Sequence, residues 1–121
     1  MNKKILYFGN KYLEEDNLAV KVCEKLKNLD EFKETDFFHV ENSFQLVDLE
    51  FDNLIIIDVV QGIKEVQEIK FEDLKQNNLL SLHDFDLGFF LKLRGKSDVK
   101  IIGIPQEMKE EEALESVKKK L

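Results

Sequence analysis

The sequence lacks the features that place a protein in a membrane or in an oxidising compartment. It has one cysteine, Cys23, so no disulfide can form within the chain, as expected in a reducing compartment. It has no run of about 18 apolar residues, which argues against a transmembrane helix. The apolar run at residues 5–8 is too short for the core of a signal peptide. We therefore predict a cytoplasmic protein that does not associate with membranes.

A shortage of positive charge argues against a nucleic-acid partner. The chain has 18 basic and 25 acidic residues, a net charge of −7 at pH 7, which would repel a phosphate backbone on average. Linkers, internal repeats and low-complexity segments are also missing from the sequence. With 43% hydrophobic residues in 121, the chain can bury one core. We predict a single domain over residues 1–121 and expect it to be a monomer.

Alternating apolar strands and amphipathic helices predict an α/β fold. The run at residues 53–60 is apolar except for Asn53 and Asp58, as in a strand buried on both faces of a parallel sheet. Other predicted strands are residues 4–8, 35–40, 99–104 and an antiparallel edge strand at 65–71, and the predicted helices are residues 16–29, 81–95 and 110–121. This order indicates a mostly parallel twisted sheet of about five strands with helices on both faces, in three α/β/α layers.

Several other residues are assigned structural roles. Cys23 falls within the first predicted helix and is expected to act as a small buried hydrophobe. His39 lies in the second predicted strand, where we expect a structural role. The phenylalanines that we assign to the core are Phe37, Phe38, Phe85, Phe89 and Phe90.

Polar side chains follow several of the predicted strands. We place Asp58 at the end of the third strand, and the acids Glu14, Glu15 and Asp16 follow the first. His83 lies near the start of the helix that leads to the last strand. Ligands of open α/β sheets bind beyond the carboxyl ends of the parallel strands, so these side chains could meet at one edge. Carboxylates with one imidazole suit a divalent first-row metal such as nickel or zinc.

Four segments, in this order, resemble the hydrogenase maturation proteases, which are nickel-dependent endopeptidases. The resemblance extends from residue 4 to about residue 108. The family has a strand, a glycine-asparagine turn and an acidic pair before a helix, then a central strand with an aspartate, a histidine segment and a last strand. The matching segments here are Tyr7-Phe8-Gly9-Asn10 with residues 13–16, residues 54–60, residues 81–87 and residues 101–105.

The resemblance implies an endopeptidase that removes a C-terminal extension from the large-subunit precursor of a [NiFe] hydrogenase. In that family an acid, an aspartate and a histidine bind the nickel already inserted in the precursor. Those roles, as metal ligands and catalytic residues, fall on Asp16, Asp58 and His83, with Glu15 as the alternative to Asp16. Because the nickel arrives with the substrate, the free protein is expected to hold it weakly or not at all.

Two other interpretations stay open, and missing glycines favour the first of them. Tyr7 stands where the family has the first glycine of its turn, and residues 40–43 contain no glycine after the second strand. A non-catalytic α/β binding protein of the same ancestry, which binds a metal or a protein without cleavage, is the main alternative. A receiver- or flavodoxin-like domain is the third, favoured by Asp58. It is disfavoured because the acids lie far beyond the first strand and because no lysine directly follows Ile104 at the end of the last strand.

Overall fold

The structure, a computed structural model, describes residues 4–9, 17–40, 54–69, 80–81 and 99–121. These ranges contain six strands and two α-helices, one helix after the first strand and the other after the last. The strands are β1 Lys4–Phe8, β2 Asp36–Val40, β3 Leu54–Gln61, β4 Gln67–Ile69, β5 Leu80–Ser81 and β6 Val99–Pro105. The helices are α1 Leu18–Leu26 and α2 Glu110–Lys120, with a short 3-10 turn at Asp30–Phe32.

One mostly parallel sheet organises the fold. Its five main strands run in the order β2-β1-β3-β6-β4. The pairs β1–β2, β1–β3 and β3–β6 are parallel, whereas β4 runs antiparallel along the outer side of β6 and the two-residue β5 runs antiparallel to the end of β3. The predicted α/β fold is therefore confirmed. The antiparallel edge strand expected at residues 65–71 is present in shorter form as β4.

The central strand β3 is buried on both faces, as its continuous apolar sequence predicts. Successive side chains of a strand point to opposite faces. Ile57 and Val59 belong to the core shared with both helices, while Ile56 and Val60, on the other face, are 1% and 2% exposed. Burial on both faces explains why this strand is so rich in branched apolar residues.

Helix α1 lies against the sheet through an apolar face of helical period. Its buried residues are Leu18, Ala19, Val20, Val22, Cys23 and Leu26. It begins at Leu18, two residues later than predicted, and ends at Leu26, after which a turn leads into the 3-10 segment. Cys23 is fully buried, as predicted, and burial raises the pKa of its thiol, which keeps the sulfur in its unreactive protonated form.

Helix α2 packs beside α1 on the same face of the sheet. It buries Ala113 and Val117, and it carries three glutamates in its first turn and three lysines in its last, which suits the helix dipole. Lys25 of α1 pairs with Glu110 of α2. None of the helices in the described ranges is long and apolar enough to cross a membrane. The helix predicted from residue 81 lies outside the described residues, except that Ser81 belongs to β5.

The edge position of β2 corrects one core prediction. Phe37 packs against the core from the face that carries α1, but Phe38, on the opposite face, is 39% exposed. The prediction that Phe38 is a core residue is wrong, because a strand at the edge of a sheet has a neighbour on one side only. Phe85, Phe89 and Phe90 lie outside the described residues.

Gly103 allows three side chains to pack across β6. A Cβ atom at this position would lie 2.3 Å from Ile69 Cδ1, 3.1 Å from Val60 Cγ2 and 3.2 Å from Ile63 Cδ1, all shorter than an ordinary carbon–carbon contact. Gly103 is also the register partner of Asp58 in β3. The glycine therefore leaves β6 without a side chain beside that aspartate.

Replacing Gly103 with alanine should lower the free energy of unfolding by about 1–3 kcal/mol, because one methyl group must enter a filled space. Urea unfolding followed by far-ultraviolet circular dichroism measures the change. Adding Ile69→Val, which removes the atom 2.3 Å away, should make the double variant more stable than the sum of the two single changes predicts. Wild-type stability of Gly103→Ala would contradict this packing.

Candidate functional site

Asp58 is the one predicted site residue that the structure describes. It is 1% exposed and lies in β3 among apolar neighbours. The prediction that Asp58 ends this strand is wrong, because pairing with β6 continues past it to the Val60–Pro105 pair. The aspartate nevertheless lies one position beyond the Tyr7–Ile57 pair of β1 and β3. It is therefore level with Phe8, the last residue of β1.

The strand order makes this position a switch point. From β1, the chain passes through α1 to β2 on one side, while β3 lies on the other side. In open α/β sheets, ligands bind in the crevice outside the carboxyl ends of the strands where the order reverses. Asp58 thus lies beside the crevice in which the fold favours a site.

The Asp58 carboxylate is fixed by its own backbone neighbour. Its Oδ1 accepts a hydrogen bond of 2.9 Å from the Val59 N–H. Asp16, Glu15 and His83, the other predicted ligands, lie outside the described residues. Within the described ranges, no group of three or more histidine, cysteine, aspartate or glutamate side chains is placed to hold a metal ion. The predicted three-residue site therefore stays a prediction.

A Tyr7–His39 pair occupies the place where the family resemblance calls for a glycine. The two rings are register partners on β1 and β2 and stack with their centroids 5.2 Å apart and their planes 6° apart. Nε2 of His39 donates to the carbonyl oxygen of Gly9 over 2.6 Å, and the Tyr7 hydroxyl donates to Glu24 of α1 over 3.2 Å. The structural role predicted for His39 agrees with these contacts.

Electrostatics keep the Tyr7 hydroxyl protonated and the Glu24 carboxyl ionised. Burial and the nearby charge of Glu24 raise the pKa of Tyr7, which therefore stays a neutral donor. The hydrogen bond from Lys27 lowers the pKa of Glu24 and keeps its carboxylate ionised. Tyr7 thereby ties β1 to α1 with its side chain.

Two clefts flank residues 106–108 at the carboxyl edge of the sheet. The first, of about 460 Å³, has as its remaining lining residues Asn17, Leu18, Lys21 and Glu110. The second, of about 490 Å³, has as its remaining lining residues Gly62, Ile63, Lys64, Pro105 and Glu112. Both clefts are therefore built from segments that follow parallel strands or begin helices, which is where α/β folds bind ligands.

Asn17 is a residue that the motifs did not identify. It precedes the first residue of α1, is only 8% exposed and lines the first cleft. Asparagine before an apolar periodic segment is a signature of a helix start, so the signal was present. It was missed because the adjacent Asp16 carries the same capping preference.

The comparisons with known proteins bear on the fold alone. No model of a protein family matches the chain, and no curated protein matches it. A crystal structure of an uncharacterized protein from Wolinella succinogenes superposes with a TM-score of 0.60, over 100% of this chain and 92% of that one, at 16% sequence identity. The fold is thus one that an experimental structure also contains.

The raised pKa of Tyr7 makes stability depend on pH in alkali. Above pH about 10, an unfolded tyrosine loses its proton while folded Tyr7 keeps it. The contribution of this group is fully present below pH 10, and stability should fall by about 1.4 kcal/mol per pH unit above it. Urea unfolding at a series of pH values should show a shallower slope for Tyr7→Phe, which keeps Cys23.

A second tyrosine provides the control. The chain has two tyrosines, Tyr7 and Tyr12, so Tyr12→Phe leaves Tyr7 as the only phenol. That variant, while folded, should show no phenolate absorbance at pH about 10.5, where a free tyrosine is mostly ionised. Ordinary titration of the remaining phenol in the folded protein would contradict the environment described for Tyr7.

Proposed function

We propose that this protein is an endopeptidase that removes a C-terminal extension from the large-subunit precursor of a [NiFe] hydrogenase. In this proposal the nickel carried by the precursor is bound by Asp58, His83 and Asp16, with Glu15 as the alternative to Asp16. The observation that carries the proposal is the burial of Asp58 inside an apolar strand, level with the carboxyl end of β1. The order of acid, aspartate and histidine in the sequence supports it.

A buried carboxylate in this position needs a reason. A buried charge costs several kcal/mol to desolvate, and even where it is paired or hydrogen-bonded, an apolar residue of similar volume is often equally or more stable. The six other residues of Leu54–Val60 are apolar, so packing alone would favour another apolar residue at position 58. A role in ligand binding at the switch point accounts for the aspartate.

The local geometry suits a metal ligand. Hydrogen bonds from neighbouring groups orient ligating carboxylates, and the Val59 N–H does this for Oδ1 of Asp58. A carboxylate oxygen combined with an imidazole nitrogen is a donor set that nickel accepts.

The chemistry follows from the donor set. Nickel held by the substrate and by these residues would polarise the scissile carbonyl or activate a water. Asp58 would position the precursor by binding its metal. A second carboxylate, Asp16 or Glu15, would assist proton transfer. Requiring the metal for docking would restrict cleavage to precursors that have already received it.

A non-catalytic binding protein of the same ancestry is the second candidate, and Tyr7 favours it. The Tyr7 ring fills the space between β1 and α1 and is anchored to His39 and Glu24. A glycine in that place would let a substrate backbone approach closely. With this approach blocked, the chain would bind a metal or a protein partner without cutting it.

The remaining expectations follow from the sequence. A single cysteine, fully buried, suits the cytoplasm, where we place both the protein and its precursor partner. The net charge of −7 disfavours nucleic acid. We propose that the protein acts as a monomer on the precursor.

Replacing Asp58 with asparagine should abolish processing without unfolding the protein. Asparagine keeps the shape and the Oδ1 acceptor but removes the ligating charge. Because changes in outer-shell partners already cost about 10- to 100-fold, losing a ligand should slow cleavage at least about 100-fold. Intact-mass analysis of a nickel-loaded precursor incubated with the purified protein measures the rate, and His83→Ala should behave in the same way.

Asp36→Asn is the matched control. Asp36 is an exposed aspartate at the start of β2 and is the register partner of Lys4 in β1. It therefore lies at the end of the sheet opposite to the proposed site, and this variant should process at the wild-type rate. Full activity of Asp58→Asn would sink the proposed site. Metal-dependent binding of the precursor without cleavage, lost in Asp58→Asn but kept in Asp36→Asn, would establish the non-catalytic alternative.

A further inference from the structure

Asn17 has a buried amide that the described structure leaves without a partner. Its carbonyl oxygen accepts the first helical hydrogen bond of α1, from the Lys21 N–H over 2.9 Å. Its side chain makes no capping bond and contacts no hydrogen-bonding group among the described residues. Asn17 is 8% exposed and lines the cleft of about 460 Å³, here called the α1 cleft. Leaving a buried amide without a partner costs free energy, which a ligand in the cleft would recover.

The same cleft receives the positive end of α1. The N–H groups of Leu18, Ala19 and Val20 precede the first helical hydrogen bond and have no acceptor among the described residues. Such groups point out of the N-terminal end of a helix and, with the helix dipole, favour an anion there. Lys21, which also lines the α1 cleft, adds a full positive charge. This wall of the cleft is therefore suited to an acceptor with a negative charge.

The acidic residues of the cleft limit which anion can bind. Glu107 and Glu110 both line the cleft, and Glu110 is already paired with Lys25. Glu107 repels any anion in the cleft, and it repels a doubly charged phosphate about twice as strongly as a carboxylate, whose single charge Lys21 can balance. Gln106 offers an amide that can pair with a peptide group, and Leu18 and Met108 offer apolar surface. These features fit a carboxylate that is attached to a peptide.

We propose that the α1 cleft binds the C-terminal carboxylate of a peptide chain. Asn17 and the first-turn N–H groups of α1 hold the carboxylate oxygens, and Lys21 neutralises the charge. Gln106 bonds the last peptide group, while Leu18 and Met108 contact the last side chain. Identifying this peptide as the extension of the hydrogenase precursor rests on the proposed function, whereas binding of the carboxylate does not.

The direct test is a titration of the full, 15N-labelled protein followed by NMR. The probe is the tripeptide acetyl-alanyl-leucyl-valine with a free carboxylate, compared with the same peptide carrying a C-terminal amide. We expect saturable shifts at the backbone amides of Leu18, Ala19 and Val20 and at the side-chain amide of Asn17. The amidated peptide should bind at least about tenfold more weakly, because charge-assisted hydrogen bonds are lost.

Three variants make the test specific. Asn17→Asp keeps a favoured residue at the helix start, so the protein folds, but its negative charge should abolish binding of the carboxylate. Lys21→Gln should weaken binding about threefold to tenfold. Lys119→Gln, the matched control, removes an exposed lysine from the last turn of α2, which lies at the other end of the sheet beside Lys100, and should bind as the wild type does.

Equal binding of the free and amidated peptides would overturn the proposal, as would undiminished binding by Asn17→Asp. Saturation of the same signals by inorganic phosphate, with no effect of the peptide, would also overturn it. Peptide binding that survives in a protein unable to process any precursor would refute the proposed function alone. Processing that is unaffected by Asn17→Asp would refute the assignment of the extension's carboxylate to the α1 cleft alone.

Discussion

A carboxylate held inside the central strand of the sheet, which is buried on both faces, is the constraint on which the rest of this structure depends. Asp58 is the one acidic residue of β3, and its burial costs free energy that apolar packing would have supplied. The surroundings accommodate it. Val59 donates a hydrogen bond to it, Gly103 leaves the facing position on β6 without a side chain, and β1 stops level with it at Phe8. The carboxylate is thus buried beside the crevice where the strand order reverses.

The carboxyl edge of the sheet combines two kinds of polar group on its two faces. Asp58 projects on the face opposite the helices, whereas Asn17 and the first turn of α1 lie on the helix side. A negative group suits a metal, and the helix start suits an anion, so the edge can engage a cation and a carboxylate at once. A protein precursor that carries nickel and ends in a C-terminal extension presents both. The proposed function and the proposed carboxylate site thus use separate residues of one edge.

The sequence was informative wherever a local pattern decides the structure. Continuous branched residues predicted β3 and β6, and the alternation of strands with helices predicted the mostly parallel sheet. What depends on pairing between distant segments was not readable. The extension of β3 beyond Asp58 comes from its register with β6, and the exposure of Phe38 comes from the edge position of β2. The Tyr7–His39 stack likewise needs the β1–β2 register, and Asn17 was obscured by the equal capping preference of Asp16.

The central claim is that Asp58 is a ligand of nickel together with His83 and with Asp16 or Glu15. Crystals soaked in nickel or cadmium, with anomalous diffraction to locate the ion, test this most directly. The account predicts an anomalous peak within bonding distance of an Asp58 carboxylate oxygen, with the His83 imidazole and one of the two acids completing the site. A peak elsewhere, or an Asp58 carboxylate that stays bonded to protein groups alone in soaked crystals, would contradict it.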